Sequence, residues 1–304
     1  MSVFKTKFLL NAKTASAVFF LFSRICAGLF CAHRAKYYRD GHRGKMNKKQ
    51  RRFSVFVLVL VVCLTLMPVS FATGEISWYF KKNNEHKQPT LDANLAFINN
   101  YSCYYLDKNH GDDCEDKVIY LTFDAGYENG NVERILDVLK EKDVKGAFFV
   151  LRHLIEANTD LVKRMADEGH MVCNHTMSHK NMASVTDRAV FEQELGGLEQ
   201  LYAEKIGGEM PKYYRPPEGR LTEENLKILE EMGYKTILWS FAYADWDNAK
   251  QPAPQQAIEK LVNGTHNGEI LLLHPTSKTN ADILSQLIDV WREMGYRFGT
   301  LDEL

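Results

Sequence analysis

The chain has 304 residues, with 38 Lys and Arg against 39 Asp and Glu, and 45% of it is hydrophobic. That near-balance hides two parts of different sign: residues 1–72 hold 13 basic residues and one acid, Asp40, which leaves 25 basic and 38 acidic residues in 73–304, a net charge near −13. Such a charge excludes nucleic acid as a partner of 73–304, because phosphates demand a basic face, and leaves neutral or cationic polysaccharides open.

In chain order, Met46 opens a secretory signal. Lys48, Lys49, Arg51 and Arg52 make a basic head, Phe53 to Met67 an apolar run, and Ser70-Phe71-Ala72 places small residues where a signal peptidase reads. Residues 1–45 carry a second apolar patch, broken by Arg24 and short for a membrane span of roughly 20 residues. They are either an extra N-terminal segment or an over-extended start; the second is favoured because signal peptides begin at the initiator. Residues 46–72 are then a signal peptide or an uncleaved membrane anchor. The rest is expected outside the membrane, touching it only through this segment, as a monomer. Export permits a Cys103–Cys114 disulfide, and Cys173, in an apolar run, reads as core.

Residues 73–116 alternate polar and aromatic stretches and read as an arm. From 117 to 304 strand and helix patterns alternate. Strands are expected at 118–123, 146–151, 170–175, 212–217, 235–243, 269–274 and 297–301. Helices are expected at 131–144 (Ile135, Leu136 and Leu139 on one face), 158–169, 187–207 with Gly196-Gly197 as a weak point, 222–234, 252–263 and 280–296. About 230 residues suffice for one sizeable domain. Repeated βα units imply an α/β fold with parallel strands, as an open doubly wound sheet or a closed barrel. No G-x-G-x-x-G follows the first strand, which weighs against dinucleotide binding.

In either architecture ligands gather beyond the C-terminal ends of the strands, and five expected strands end on chemistry. The first ends on Asp124, the third in Asn174-His175-Thr176-Met177-Ser178-His179, the fourth in Arg215-Pro216-Pro217-Glu218-Gly219, the fifth in Asp245-Trp246 and the sixth in His274. His175 and His179 lie four apart, so one tight loop can aim both imidazoles at one point. Alone, H-x-x-x-H is weak. After a buried strand, level with Asp124 and His274, it reads as a site for zinc, cobalt or manganese. Asp124 is either a helix N-cap, a partner in a structural ion pair, or a general base for an attacking water. His274 is either a core histidine or the acid that protonates a leaving amine. Arg215 would hold Asp124 ionised, and Asp245 would orient His274 and raise its pKa. Trp246 offers a flat wall to a sugar, although a core tryptophan is the commoner outcome, and Tyr127 is a second candidate for substrate contact.

The ordered motifs TFDAG, HTMSH, RPPEG, ADW and LLLHP resemble the polysaccharide deacetylase family, also called the NodB-homology or carbohydrate esterase family 4 domain. The resemblance runs from about Lys117 to Leu304. YLTFDAGYENG, GHMVCNHTMSH and LLLHPTSKTNADIL are similar to its sporulation branch, the delta-lactam-biosynthetic de-N-acetylases. It implies a single-domain, distorted (β/α) barrel of about seven parallel strands that removes acetyl from N-acetylmuramic acid in the peptidoglycan glycan strand of spore cortex. It also implies Asp124 as base, His274 as acid, Arg215 and Asp245 as their partners, and His175 and His179 as ligands of a divalent metal, zinc first. The backbone amide near Glu218 would help to hold the oxyanion. There is one departure. Most of the family has a second, metal-ligating aspartate after the base, and here that residue is Ala125; the muramic branch relaxes the same position. Two other outcomes stay open: a deacetylase of chitin oligomers, poly-N-acetylglucosamine or xylan, and a carbohydrate-binding pseudoenzyme.

Overall fold

The computed structural model describes residues 74–82 and 85–304, so the signal segment and everything before it lie outside the described residues. The strand Lys117–Ala125, named β3, is the axis of the fold. It is buried along almost its whole length, and its pleat sorts side chains to two layers. Ile119, Leu121, Phe123 and Ala125 pack into the larger cluster with the helices, whereas Val118 and Tyr120 belong to a separate cluster on the other face. Thr122 and Asp124 alternate onto that second face.

The remaining strands are β1 (Ile76–Ser77), β2 (Cys103–Tyr104), β4 (Ala147–Val150), β5 (Met171–Asn174), β6 (Tyr213–Tyr214), β7 (Arg220–Leu221), β8 (Lys235–Ile237), β9 (Phe241–Ala242), β10 (Glu269–Leu273) and β11 (Tyr296–Phe298). Nine of the eleven strands form one sheet in the order β2-β8-β6-β5-β4-β3-β10-β9, with β11 beside the start of β3. Every ladder pairing in it is parallel. The sheet curls, as the (β/α) barrel requires. An isolated antiparallel bridge from Leu106 to Glu269 joins the β2 edge to β10.

Two of the nine strands go beyond the seven expected. The stretch 235–243, expected as one strand, is split between β8, which pairs with β6, and β9, which pairs with β10 at the opposite end of the strand order. Leu238–Ser240 crosses between the edges: Leu238 N–H donates to the Tyr104 carbonyl at 2.7 Å and Ser240 N–H to that of Ile270 at 3.0 Å. Apolar alternation cannot reveal such a corner, because both halves are buried and both pair in parallel. The other addition is β2, supplied by the segment expected as an arm; it pairs with β8 along Cys103↔Thr236 and Tyr104↔Ile237.

The helices follow their sequence signals. Asn131–Glu141 buries Val132, Ile135, Leu136 and Leu139. Glu223–Glu231 begins with a reciprocal capping box between Thr222 and Asn225, and Pro254–Gly264 begins with proline. Helix 187–207 is interrupted at the two glycines, where a π-helical turn, Glu192–Gly196, separates Arg188–Phe191 from Gly197–Lys205. Cys173 is core, as expected. Cys103 and Cys114 are both free, so the disulfide is not formed: Cys103 is buried within a hydrophobic cluster, while Cys114 sits in the loop that precedes β3. Among the described residues no helix is long and apolar enough to cross a membrane.

Candidate active site

The C-terminal rim of the sheet brings the strand-end residues into two charge-paired centres. At the tip of β3, Asp124 accepts a 2.9 Å hydrogen bond from Arg215 Nη1. Arg215 is completely buried, and three more of its N–H groups are bonded: Nη2 to Thr122 Oγ1 at 2.8 Å and to the Leu238 carbonyl at 3.2 Å, Nε to the Ile237 carbonyl at 3.1 Å. Its guanidinium also lies over the Phe149 ring, 4.2 Å from the centroid. A buried charge needs this degree of satisfaction. Burial alone would raise the Asp124 carboxyl, but the charge that His175 takes up only at acid pH, those of Arg215 and His274, and the Arg215 hydrogen bond outweigh it and hold the group below its ordinary value. Thr122, two residues before the acid and on the same face of the strand, thus belongs to the site.

The second centre lies beside the first, on the neighbouring strand, where Leu273 is level with Phe123. His274, just beyond β10, faces Asp245: Nδ1 is 2.7 Å from Oδ1, and the His274 backbone N–H donates to Oδ2 at 2.8 Å. Asp245 is fully buried and accepts a third bond from Asn280 Nδ2 at 2.7 Å. Burial would lower the imidazole, yet the hydrogen bond and charge of Asp245, with the charge of Asp124, raise it above its ordinary value. Asn280, in the first turn of the helix Lys278–Glu293, escaped the sequence reading. Its only sequence signal is its third place after the cap residue Ser277, whose hydroxyl accepts from the Asn280 N–H at 3.1 Å.

The loop of the two histidines follows β5, two strands from β3 on the side away from β10. Its backbone is left-handed at Thr176 (φ 75°) and His179 (φ 56°), unfavourable conformations for residues with side chains that must be held by their surroundings. The π-helical turn holds them. Met177 N–H donates to the Glu194 carbonyl at 3.0 Å, and the Glu194 carboxylate accepts from Ser178 N at 3.0 Å and Ser178 Oγ at 2.8 Å. Asn174 Nδ2 reaches the Leu195 carbonyl at 3.0 Å. π-turns recur at functional sites because they release carbonyls for such work. His175 Nδ1 donates to the Arg215 carbonyl at 2.9 Å, which leaves its Nε2 lone pair facing Asp124 Oδ2 at 3.6 Å. The His179 ring lies edge-on to it, centroids 5.0 Å apart.

At the mouth, Trp246 is 64% exposed and Tyr127 44%, so Trp246 is not a core residue. Asn248 Nδ2 donates to the Tyr127 hydroxyl at 2.7 Å, which ties the two aromatic loops together. The Glu218 side chain pairs with Arg220 Nε at 2.7 Å. Glu218 is left-handed (φ 56°).

Residues 111–237 match the polysaccharide deacetylase family model. Over 231 residues the chain is 37% identical to the peptidoglycan-N-acetylmuramic acid deacetylase PdaA of Bacillus subtilis, covering 75% of this chain and 85% of that protein. Over 249 residues it is 42% identical to an uncharacterized 30.6 kDa protein of Geobacillus stearothermophilus, covering 82% and 92%. The chain belongs to the polysaccharide deacetylase family. The solved structure of B. subtilis PdaA, a family 4 carbohydrate esterase, superposes with a TM-score of 0.71 at 35% identity, covering 76% of this chain and 96% of that one. The deacetylase is accordingly a hydrolase with the family's (β/α) barrel.

The deacetylase's donors fit a divalent cation only in part. Burial pushes the His175 imidazole down to about 4 despite the nearby Asp124, so the ring is neutral and its Nε2 can donate a lone pair. A lone pair and a carboxylate facing each other repel unless a cation lies between them, which matches His175 as a ligand. Among the described residues no group of three or more His, Cys, Asp or Glu is gathered to hold a metal. Ala125, fully buried in the helix-packed cluster on the face of β3 opposite Asp124, adds no donor. Two imidazoles bind a cation more weakly than three ligands.

Proposed function

We propose that this deacetylase is an exported, monomeric enzyme that removes acetyl from N-acetylmuramic acid in the peptidoglycan glycan strand. The observation that carries the reading is the opposed pair of titratable groups, a carboxylate held low at Asp124 and an imidazole held high at His274. Groups pushed apart in this way are suited to act as base and acid at one pH. Asp124 takes a proton from the attacking water, and the water oxygen bonds to the acetamide carbon. The backbone N–H at Glu218 is the candidate donor to the oxyanion. His274 then gives its proton to the amide nitrogen as the C–N bond breaks, which yields acetate and a free amine. Arg215 keeps Asp124 ionised and fixed, and Asp245 keeps the His274 proton on the correct nitrogen. His175 and His179 would hold a divalent cation, zinc ahead of cobalt or manganese, which when bound supplies Lewis acidity toward the carbonyl and water. Trp246 and Tyr127 flank the glycan.

The 37% identity to a muramic acid deacetylase supports this sugar. The freed amine would lie beside the lactyl carboxylate of muramic acid, and their condensation gives the δ-lactam of spore cortex. The test is acetate release from peptide-stripped peptidoglycan with added zinc, followed by mass analysis of the digested glycan for muramic residues one acetyl lighter. No release by the parent, or equal release by Asp124→Asn, would overturn the reading.

A further inference from the structure

The segment that precedes the family-matched region joins three loops of the active-site rim. β1 pairs antiparallel with β7, Ile76 opposite Leu221 and Ser77 opposite Arg220, immediately after the Arg215–Gly219 turn. Trp78 N–H donates to the Gly219 carbonyl at 2.8 Å, and Trp78 Nε1 donates to the Trp239 carbonyl at 2.9 Å, in the crossing between β8 and β9. Trp239 in turn lies against the Arg215 guanidinium, 5.8 Å from ring centroid to Cζ. Glu75 Oε1 accepts from Arg220 Nη1 at 2.7 Å and from Asn181 Nδ2 at 3.1 Å. Asn181 sits two residues after His179.

The turn needs such support. Glu218 (φ 56°) and Gly219 (φ 63°) are left-handed in succession, and an added Cβ at Gly219 would stand 3.0 Å from Trp78 Cβ and 2.7 Å from Trp239 Cη2. The turn is thus packed directly under Trp78. The ion pairs of Glu75 and Arg220 are open to solvent and hold little alone, whereas Trp78 is only 6% exposed. Its contacts are the ones expected to matter.

We infer that Glu75–Trp78 is a buckle that positions the Arg215–Gly219 turn for the reaction, with Trp78 as the main positioning residue, so that the catalytic unit begins at Glu75. This rests on the deacetylase reading for its kinetic consequence but not for its structural one. Displacing a reacting group by about 1 Å can cost on the order of 10²-fold in rate. Trp78→Ala in the full chain should therefore lower kcat roughly 10- to 100-fold while leaving KM within about twofold. Trp78→Phe, which keeps the packing and the backbone bond, should recover most of the rate. Leu139→Ala, which destabilises a remote helix, should keep the parental kcat at temperatures where it is folded. Hydrogen–deuterium exchange over peptide 215–221 needs no substrate and should accelerate in Trp78→Ala alone. An inactive parent sinks the deacetylase reading but leaves the exchange arm decisive. An active parent whose Trp78→Ala variant keeps its kcat, or unchanged exchange over 215–221, overturns the buckle.

Discussion

Replacing Asp245 by asparagine tests the acid half of the site most directly. The carboxylate accepts three hydrogen bonds, from His274 Nδ1 (2.7 Å), His274 N (2.8 Å) and Asn280 Nδ2 (2.7 Å). Asparagine keeps one oxygen and turns an NH2 toward a donor, so at least one of these bonds becomes a donor–donor contact. A hydrogen bond to a charged group contributes about 1.5–3 kcal/mol, which is roughly 10- to 100-fold in rate if it is needed when His274 delivers its proton. The sign of the pH effect is also determined. Asp245 is the chief influence opposing burial and raising His274; without it, burial and the Arg215 charge lower the imidazole. A general acid must be protonated, so activity disappears as pH rises through its pKa. The alkaline limb of kcat/KM should therefore move to lower pH in Asp245→Asn, while the acid limb stays in place. The assay is acetate release across the pH range. An unmoved alkaline limb with kcat within about threefold of the parent would refute the acid role of His274.

Arg215→Met should move the opposite limb. It removes one of the charges that lower Asp124, so the carboxyl rises, and activity, which needs the ionised base, should fail at a higher pH on the acid side. Because it also leaves a buried carboxylate unpaired, urea unfolding should show a loss of about 3–5 kcal/mol. Trp246→Ala should raise KM roughly 2- to 10-fold, in keeping with about 1 kcal/mol of aromatic contact, without changing kcat or Tm, since the ring is largely exposed. Thr222→Ala removes one side of the capping box and should cost about 1 kcal/mol in denaturant titration, with the pH–rate profile unchanged.

Periodicity and strand-end logic were sufficient for most of the scaffold and for the ionisable residues at its rim. Asp124, Arg215, Asp245 and His274 are legible because a parallel sheet collects whatever its strands end on, and the buried runs show where the strands stop. The amphipathic helix 131–141 and the cap at Thr222 are equally local and equally readable. Position 235–243 is the counterexample. Its composition is that of a single buried strand, and only closure of the curled sheet divides it between two edges. Cys103 and Cys114 fail for a related reason, since eleven residues of separation say nothing about one thiol being enclosed in a hydrophobic cluster.

Residue order along the chain specifies the inventory: which acids, bases and imidazoles stand at strand ends, and that Ala125 offers no ligand where the family usually has an acid. Those are properties of order and spacing along the chain. The tertiary structure alone decided which of these groups pair, which are held, and by what. Thr122 and Arg215 meet across 93 positions, Asp245 and Asn280 across 35, and Asn181 and Glu75 across 106. Electrostatic pairing and burial depend on distance in space, which spacing along the sequence does not encode. The same physics settles Ala125: the pleat of β3 turns its methyl into the helix layer while the preceding carboxylate faces the histidines.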